Sequence, residues 1–359
     1  MSRQPRASGY FRTAYEQDLA LLATRLERRS LAVLAVALLV FPFIASPFQL
    51  DLASQVFLAA IGALSLMLLT GYAGQISLGH AGLLAAGAFT VGIGFREAHA
   101  PFWVTLPMAA LVGALLGVIF GLPSLRLRGL YLAVSTLALH FVVIYLGGEY
   151  ESRWGFSTGI VIDPPSIAGL EISDPRAWYF ILLAAAAATL LVCLNLVRAR
   201  SGRAWRAIRA HETVAEALGI GVAGYKLAAF VISSAITAVA GALFAYYRGF
   251  VSVEAFSLFL TVQYLAMVII GGMGSLLGAL MGAAFVTIFP YLIEAGLLAL
   301  PGAQGYASLL FAVNYAAFGL VMILFLMFEP LGLVGIWRRI QSYFLLWPFK
   351  QRPVAGARQ

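Results

Sequence analysis

The sequence predicts an all-α polytopic membrane protein of about ten transmembrane helices, with two glycine-interrupted segments and one polar helix set between two spans. Three observations predict it. Of 359 residues, 62% are hydrophobic and 11% charged, with a mean hydropathy of +0.93, a composition foreign to a water-filled globular domain. The charged residues leave intervals of membrane length between them. The basic residues also fall on alternate connections, as they do when one side of a membrane retains them.

The first element is a polar segment, residues 1–30, with Arg25, Arg28 and Arg29 beside the first apolar run, Leu31 to Ser46. A signal peptide has this order too, but the long basic region and the polytopic continuation favour an uncleaved first span. Leu19, Leu21, Leu22 and Leu26 would suit an amphipathic helix at the membrane surface or a solvated tail. The membrane domain follows, over 31–328.

A helix needs about 20 residues to cross a hydrocarbon core about 30 Å thick. The charge-free intervals 98–125, 129–148, 177–197 and 227–247 each hold one span. The 44 residues of 52–95 and the 39 of 255–293 are each interrupted, at Gly71-Tyr72-Ala73-Gly74 and at Gly271-Gly272-Met273-Gly274. Each interval reads as two spans, or as one span and a shorter broken helix. With the runs 31–46 and Ala307 to Phe328 the count is ten. If both termini are cytoplasmic, segments 1–30, 123–129, 198–226 and 329–359 carry 19 of the 23 basic residues, and an odd count spoils this segregation. The net charge of +8 is therefore topological, and no nucleic-acid partner is expected. Segment 329–359 reads as a cytoplasmic tail, and 148–176, with five acidic residues, as a long extracytoplasmic loop with room for a small helix or turn structure.

Segment 198–226 is the only long polar interruption in the middle of the chain. Ser201 can cap a helix there, Ala204, Ile208, Ala215 and Leu218 recur at helical spacing, and Gly219 supplies a stop. Arg209 and Glu212 can pair on its polar side. Trp205 and Ile208 leave one edge apolar, for docking or for the lipid interface.

Gly71, Gly74 and Gly82 coincide with Gly271, Gly274 and Gly282 at an offset of 200 residues. Interrupted helices in corresponding halves point toward a translocation path. On the first, the run Gly71, Gly74, Gln75, Ser77, Gly79 and His80 is polar within a charge-free interval, where each unpaired polar group costs several kcal/mol, about 2–7. Thr136 and His140, with Ser135, are a second set on the fifth span, and Gln263 and Asn314 are further neutral candidates. Interhelical packing is the alternative use of such residues.

Catalytic chemistry is not expected. There is no G-x-x-x-x-G-K-[ST], no H-E-x-x-H and no G-x-S-x-G. The four histidines are scattered and the one cysteine, Cys193, lies in an apolar run, so no catalytic or metal residue is assigned. Ion-coupled carriers keep ionisable groups deep in the membrane. Here only His80 and His140 qualify, which disfavours a secondary transporter, the alternative function, and leaves the energy source outside this chain. A membrane-embedded enzyme is weaker still.

Four runs carry a resemblance: GYAGQISLGHAGLLAAG at Gly71 to Gly87, LRLRGLYLAVSTLAL at Leu125 to Leu139, and SGRAWRAIRAHETVAEALGI followed by GYKLAAFVISSAITAVAGALFAY. In this order and spacing the chain resembles the branched-chain amino acid type of ABC-transporter permease, the LivM-like branch, over residues 30–335. The resemblance implies an importer subunit for branched-chain amino acids or related small polar solutes, in the bacterial inner membrane. It implies a second, LivH-like permease, two cytoplasmic ABC ATPases that carry ATP and magnesium, and a periplasmic solute-binding protein. No cofactor is implied in this chain. It also implies that 198–226 is the coupling loop, with Ala215-Glu216-Ala217-Leu218-Gly219 loosely matching an E-A-A-x-x-x-G signature that here has only Leu218 between the alanine and Gly219. The ATPase-coupling set is then Trp205, Arg206, Ile208, Arg209, Glu212, Glu216, Leu218 and Gly219.

Overall fold

The computed structural model describes residues 25–125, 129–154, 159–167, 170–298, 310–329 and 331–346. The amphipathic segment around Leu19 lies outside them, as does the side chain of Asn314. Thirteen α-helices follow one another among the described residues: α1 (Arg25–Ile44), α2 (Pro47–Leu66), α3 (His80–Ala98), α4 (Phe102–Ser124), α5 (Leu130–Arg153), α6 (Pro175–Arg198), α7 (Arg200–Ala210), α8 (Glu212–Ala217), α9 (Val222–Arg248), α10 (Leu258–Gly271), α11 (Leu276–Leu298), α12 (Leu310–Phe328) and α13 (Gly332–Leu346). Six are long and apolar enough to cross a membrane: those within Pro47–Tyr72, Phe102–Pro123, Tyr131–Arg153, Pro175–Arg198, Val222–Arg248 and Leu276–Gly296. Three shorter apolar helices, Arg29–Ile44, Leu258–Gly271 and Ala316–Phe325, accompany them.

α9 is the central element. It packs against α4, α3 and α2, and the contacts run through small residues. Gly113, Gly117 and Gly121 recur every four residues on α4. A Cβ at Gly113 would lie 2.6 Å from the Ser234 carbonyl oxygen, and one at Gly117 would lie 2.9 Å from the Val231 Cα. Gly87 and Gly241 bring α3 and α9 equally close, each facing a backbone carbonyl of the other helix, of Ala238 and of Leu84. Between apolar helices in lipid such closeness is what holds them, because burial supplies no net drive. Side-chain hydroxyls add hydrogen bonds at the α2–α9 seam. Ser65 Oγ lies 2.7 Å from Thr237 Oγ1, and Ser233 Oγ donates to the Ser65 carbonyl at 2.9 Å.

α3 is the most enclosed helix, with thirteen of its nineteen residues buried from His80 to Gly94. By contrast α1, α4, α5 and α12 carry bare apolar faces, including Val33, Leu111, Phe141 and Leu320. Apolar surface of this extent is not left to water and belongs against lipid or another protein.

Two segments carry structure that the sequence left open. The described residues of segment 148–176 contain short strands: Ile160–Val161 (β1) pairs antiparallel with Phe250–Val251 (β4), just past α9, and Ser166–Ile167 (β2) pairs with Leu170–Glu171 (β3). Ile160, Val161 and Ile162 are β-branched, which suits extended backbone. The segment from 329 onward, read as a tail, contains α13. It starts against the second glycine break, where a Cβ on Gly272 would lie 2.4 Å from the Leu331 carbonyl oxygen.

Candidate solute path and partner-facing segment

α2 does not end cleanly. Its last turn widens into a π-helical turn, Met67–Tyr72, and residues 73–79 then run without regular helix into the interior before α3 begins at His80. Irregular backbone at such depth survives only where protein groups or a water-lined cavity satisfy it. Here two other helices do so. The Leu78 N–H donates to Thr136 Oγ1 of α5 at 2.8 Å, and the Ala81 N–H to Thr261 Oγ1 of α10 at 3.0 Å. The Gly79 N–H reaches Ser77 Oγ at 3.3 Å. Gly79 lies against the Thr136 carbonyl, where a Cβ would come within 2.4 Å, and Gly82 against the His140 Cα, within 2.6 Å.

The structure therefore brings Ser77, Gly79, His80, Thr136 and His140 together, all buried. The His80 ring lies 4.7 Å from the Tyr264 ring and within hydrogen-bonding reach of the Gly62 carbonyl. His80 Nε2 and His140 Nδ1 have no hydrogen-bond partner among the described residues. On the other side of Tyr264 opens a cavity of about 270 Å³ between α2, α9, α10 and α11, lined by Gln55, Gln263, Thr287, Tyr291 and Arg248 among others. Gln55 bridges Asp51 at 2.7 Å and the Tyr291 hydroxyl at 3.2 Å. Gln55, Thr287 and Tyr291 were not singled out in the sequence; the available signal was a carboxamide inside a charge-free interval, the same signal that marks Gln263.

Gly71, Gly74 and Gln75 lie apart from that cluster, at the end of the bundle occupied by α7. Gln75 is 4% exposed, its Oε1 has no partner among the described residues, and it lines a second cavity of about 240 Å³ with Gly74, Arg209, Glu212 and Lys226. A buried acceptor of this kind calls for water or a ligand donor.

Segment 198–226 is not one helix. α7 ends at His211, whose extended backbone (φ −155, ψ 105) starts α8, and Gly219 closes α8 with φ +81. Ser201 is not the cap. It sits within α7, and its hydroxyl donates to the Leu196 carbonyl at 3.1 Å. Trp205 and Ile208, expected at a partner surface, are interior, at 0% and 4% exposure. Trp205 Nε1 donates to the Tyr225 carbonyl at 2.8 Å and so fastens α7 to the start of α9. Glu212 forms its ion pair with Lys226, also at 2.8 Å. Arg206 lies on the exposed side, with its Nε on the Gly202 carbonyl of its own helix. Glu216, Leu218 and Gly219 are exposed too. Leu218, placed by its spacing on the apolar stripe with Ala215, is 74% exposed, and Val214 four residues earlier is 54% exposed. Val214 was missed because nothing in the sequence separates it from a core-facing position.

Helices with bare apolar flanks, close glycine seams, a broken helix with polar residues at depth and a charged segment anchored at one end define an all-α polytopic membrane protein. Residues 48–328 match the family described as the branched-chain amino acid transport system permease component, and the chain belongs to that family. It is 35% identical over 283 residues to the high-affinity branched-chain amino acid transport system permease protein LivM of Salmonella typhimurium, covering 72% of this chain and 66% of that one. To the probable branched-chain amino acid transport permease protein LivH of Methanocaldococcus jannaschii it is 24% identical, over 67% of this chain and 76% of that one. To the autoinducer 2 import system permease protein LsrC of an Enterobacter species it is 28% identical, over 64% and 66%. No solved structure matches.

Proposed function

We propose that the chain is the membrane-spanning permease subunit of an ATP-driven importer that translocates branched-chain amino acids or related small polar solutes. Helices α1–α6 and α9–α12 supply ten passes through the bacterial inner membrane, two of them broken, with both termini in the cytoplasm. The solute path runs past the cavity at Gln55 and Gln263, the Tyr264 ring and the His80, Thr136 and His140 cluster toward Gln75. A second, LivH-like permease completes the membrane unit, two cytoplasmic ATPases carry ATP and magnesium, and a periplasmic binding protein delivers the solute to the β1–β4 face. Family membership supports the permease role, and the LivM relatives support the solute class.

One observation carries the coupling role of α7–α8. The segment is charged and anchored by Trp205 to α9, while Val214 and Leu218 stand bare on its outer side with Arg206 and Glu216 on the same segment. Apolar residues rimmed by charges on a rigidly held helix suit docking into a partner's groove. If the ATPases close on each other, the docked segments are carried with them and the bundle shifts between outward and inward openings. The test is gentle detergent extraction of the tagged parent and of Val214→Asp with Leu218→Asp. Nucleotide-binding ATPases are expected to copurify with the parent and to be lost from the variant, whose elution profile stays unchanged. A parent that transports leucine in liposomes yet brings down no ATPase sinks the assignment.

A further inference from the structure

Arg209, placed in the coupling set by the resemblance, is an exposed residue whose guanidinium nevertheless reaches inward. Nη1 donates to the Gly71 carbonyl, at the end of the π-helical turn of α2. The rest of the side chain crosses the first break: a Cβ on Gly74 would lie 3.0 Å from Arg209 Cγ. Its tip reaches the second break, where a Cβ on Gly274 would lie 3.1 Å from Nη1. The two breaks also meet directly, since the Gly274 N–H points at Met67 Sδ, 3.2 Å away, and a Cβ on Gly71 would lie 3.1 Å from Gly274 N. Gly74 and Gly274 both have positive φ, +72 and +89. Glycine at these two positions thus serves both the backbone turn and the passage of the arginine.

We propose that Arg209 is a staple joining the α7–α8 segment to both helix breaks at once, so that displacement of α7 is delivered to the ends of α2 and α10 through this one side chain. Its role here is positional, exerted through the two breaks it joins, although its side chain also lines the cavity beside Gln75. Two features make arginine the fit. The planar guanidinium holds a fixed direction, and its donors match the carbonyls that a broken helix leaves open. Lysine in its place keeps the charge but loses the fork.

The transport consequence rests on the importer proposed above, whereas the contact itself does not, and the experiment separates them. In a Cys193→Ser background carrying Ala73→Cys, a buried position lining the 240 Å³ cavity, alkylation by N-ethylmaleimide is timed in detergent for the parent, Arg209→Ala, Arg209→Lys and Arg206→Ala. Release of the staple is expected to speed labelling about tenfold in Arg209→Ala and less in Arg209→Lys. Arg206→Ala, whose guanidinium bonds the Gly202 carbonyl of α7 and the Val197 carbonyl of α6 rather than either break, is expected to label at the parental rate. If Arg209→Ala fails to fold, the order of Arg209→Lys against Arg206→Ala decides. Equal rates for the Arg209 and Arg206 variants overturn the staple. In liposomes carrying the copurified assembly, leucine moved per ATP hydrolysed is expected to fall about tenfold in Arg209→Ala, a coupling loss of ordinary size, with ATPase still bound. An unchanged ratio overturns the transmission role. Failure of the parent to retain any ATPase counts against the importer alone, because the thiol measurement still reports on the staple.

Discussion

The two glycine breaks share a spacing and not a structure. After Gly271 the chain turns straight back. A Cβ on Gly282 would lie 1.9 Å from the Met267 carbonyl oxygen and one on Gly271 would lie 2.0 Å from that of Gly278, so α10 and α11 form a hairpin in backbone contact. After Gly71 the chain goes on through seven irregular residues, and α3 packs chiefly on α9, α4 and α5. Gly82 accordingly faces His140 of α5, whereas Gly282 faces its own hairpin partner. The second break is closed by backbone. The first is held by hydroxyls borrowed from other helices, Thr136 and Thr261, and it is the one that leaves polar atoms of Gln75 and His80 without partners among the described residues. A break supported from outside itself can be moved by its supports, and a backbone-sealed hairpin moves as a body.

The largest effect that would test this contrast is expected at Gly282. With the Met267 carbonyl oxygen 1.9 Å and the Gly271 N 3.0 Å from the new Cβ, both backbone atoms of α10, Gly282→Ala is accommodated only by parting the two helices. It is expected to cost about 3 kcal/mol or more, beyond the usual overpacking range. Loss of monodisperse protein in size-exclusion chromatography of the detergent extract would record it, and recovery at the parental level would break the comparison. Next comes Thr136→Val, which leaves the Leu78 N–H without its acceptor and is expected to lower stability by about 1–3 kcal/mol, read as a fall in the thermal midpoint. Its counterpart in the second break, Ser275→Ala, removes a partly exposed acceptor 3.3 Å from the Gly278 N–H and is expected to cost less than about 1 kcal/mol. Reversal of that order would show the second break to be the one held by side chains. The smallest effect belongs to Glu212→Gln beside the first break. The Lys226 pair it weakens is partly solvated and is expected to be worth about 0.5 kcal/mol, detectable only as a small midpoint shift that vanishes in high salt.

Much of this architecture is legible in the residues. Charges mark the ends of apolar helices because lipid excludes them, and the two glycine clusters fall where the π-helical turn after α2 ends and where α10 ends. The grouping of Ser77, Gly79 and His80 with Thr136 and His140 was foreshadowed only as two polar sets. That they meet across α3 and α5 depends on a long-range crossing no local pattern encodes. The inward faces of α7 were misjudged for a clear reason. An amphipathic helix of eleven residues announces that it has an apolar side but not what covers it. Trp205 could have faced lipid or a partner, and only its hydrogen bond to the Tyr225 carbonyl near the start of α9 decides. Arg209 was hidden equally well, because a solvent-facing arginine and one reaching toward a glycine carbonyl have the same sequence.

α9 is held at both extremities: near its first turn by the indole of Trp205, and beyond Arg248 by the β1–β4 ladder that opens with Phe250. Its 27 residues run unbroken between these attachments, with no proline inside. A rod of that length spans about 40 Å, so a tilt of about 5° about one end sweeps the other through about 3–4 Å. The two faces of the molecule therefore share one lever, and a load applied beside Tyr225 is felt at Val251 without any relay of side chains between them.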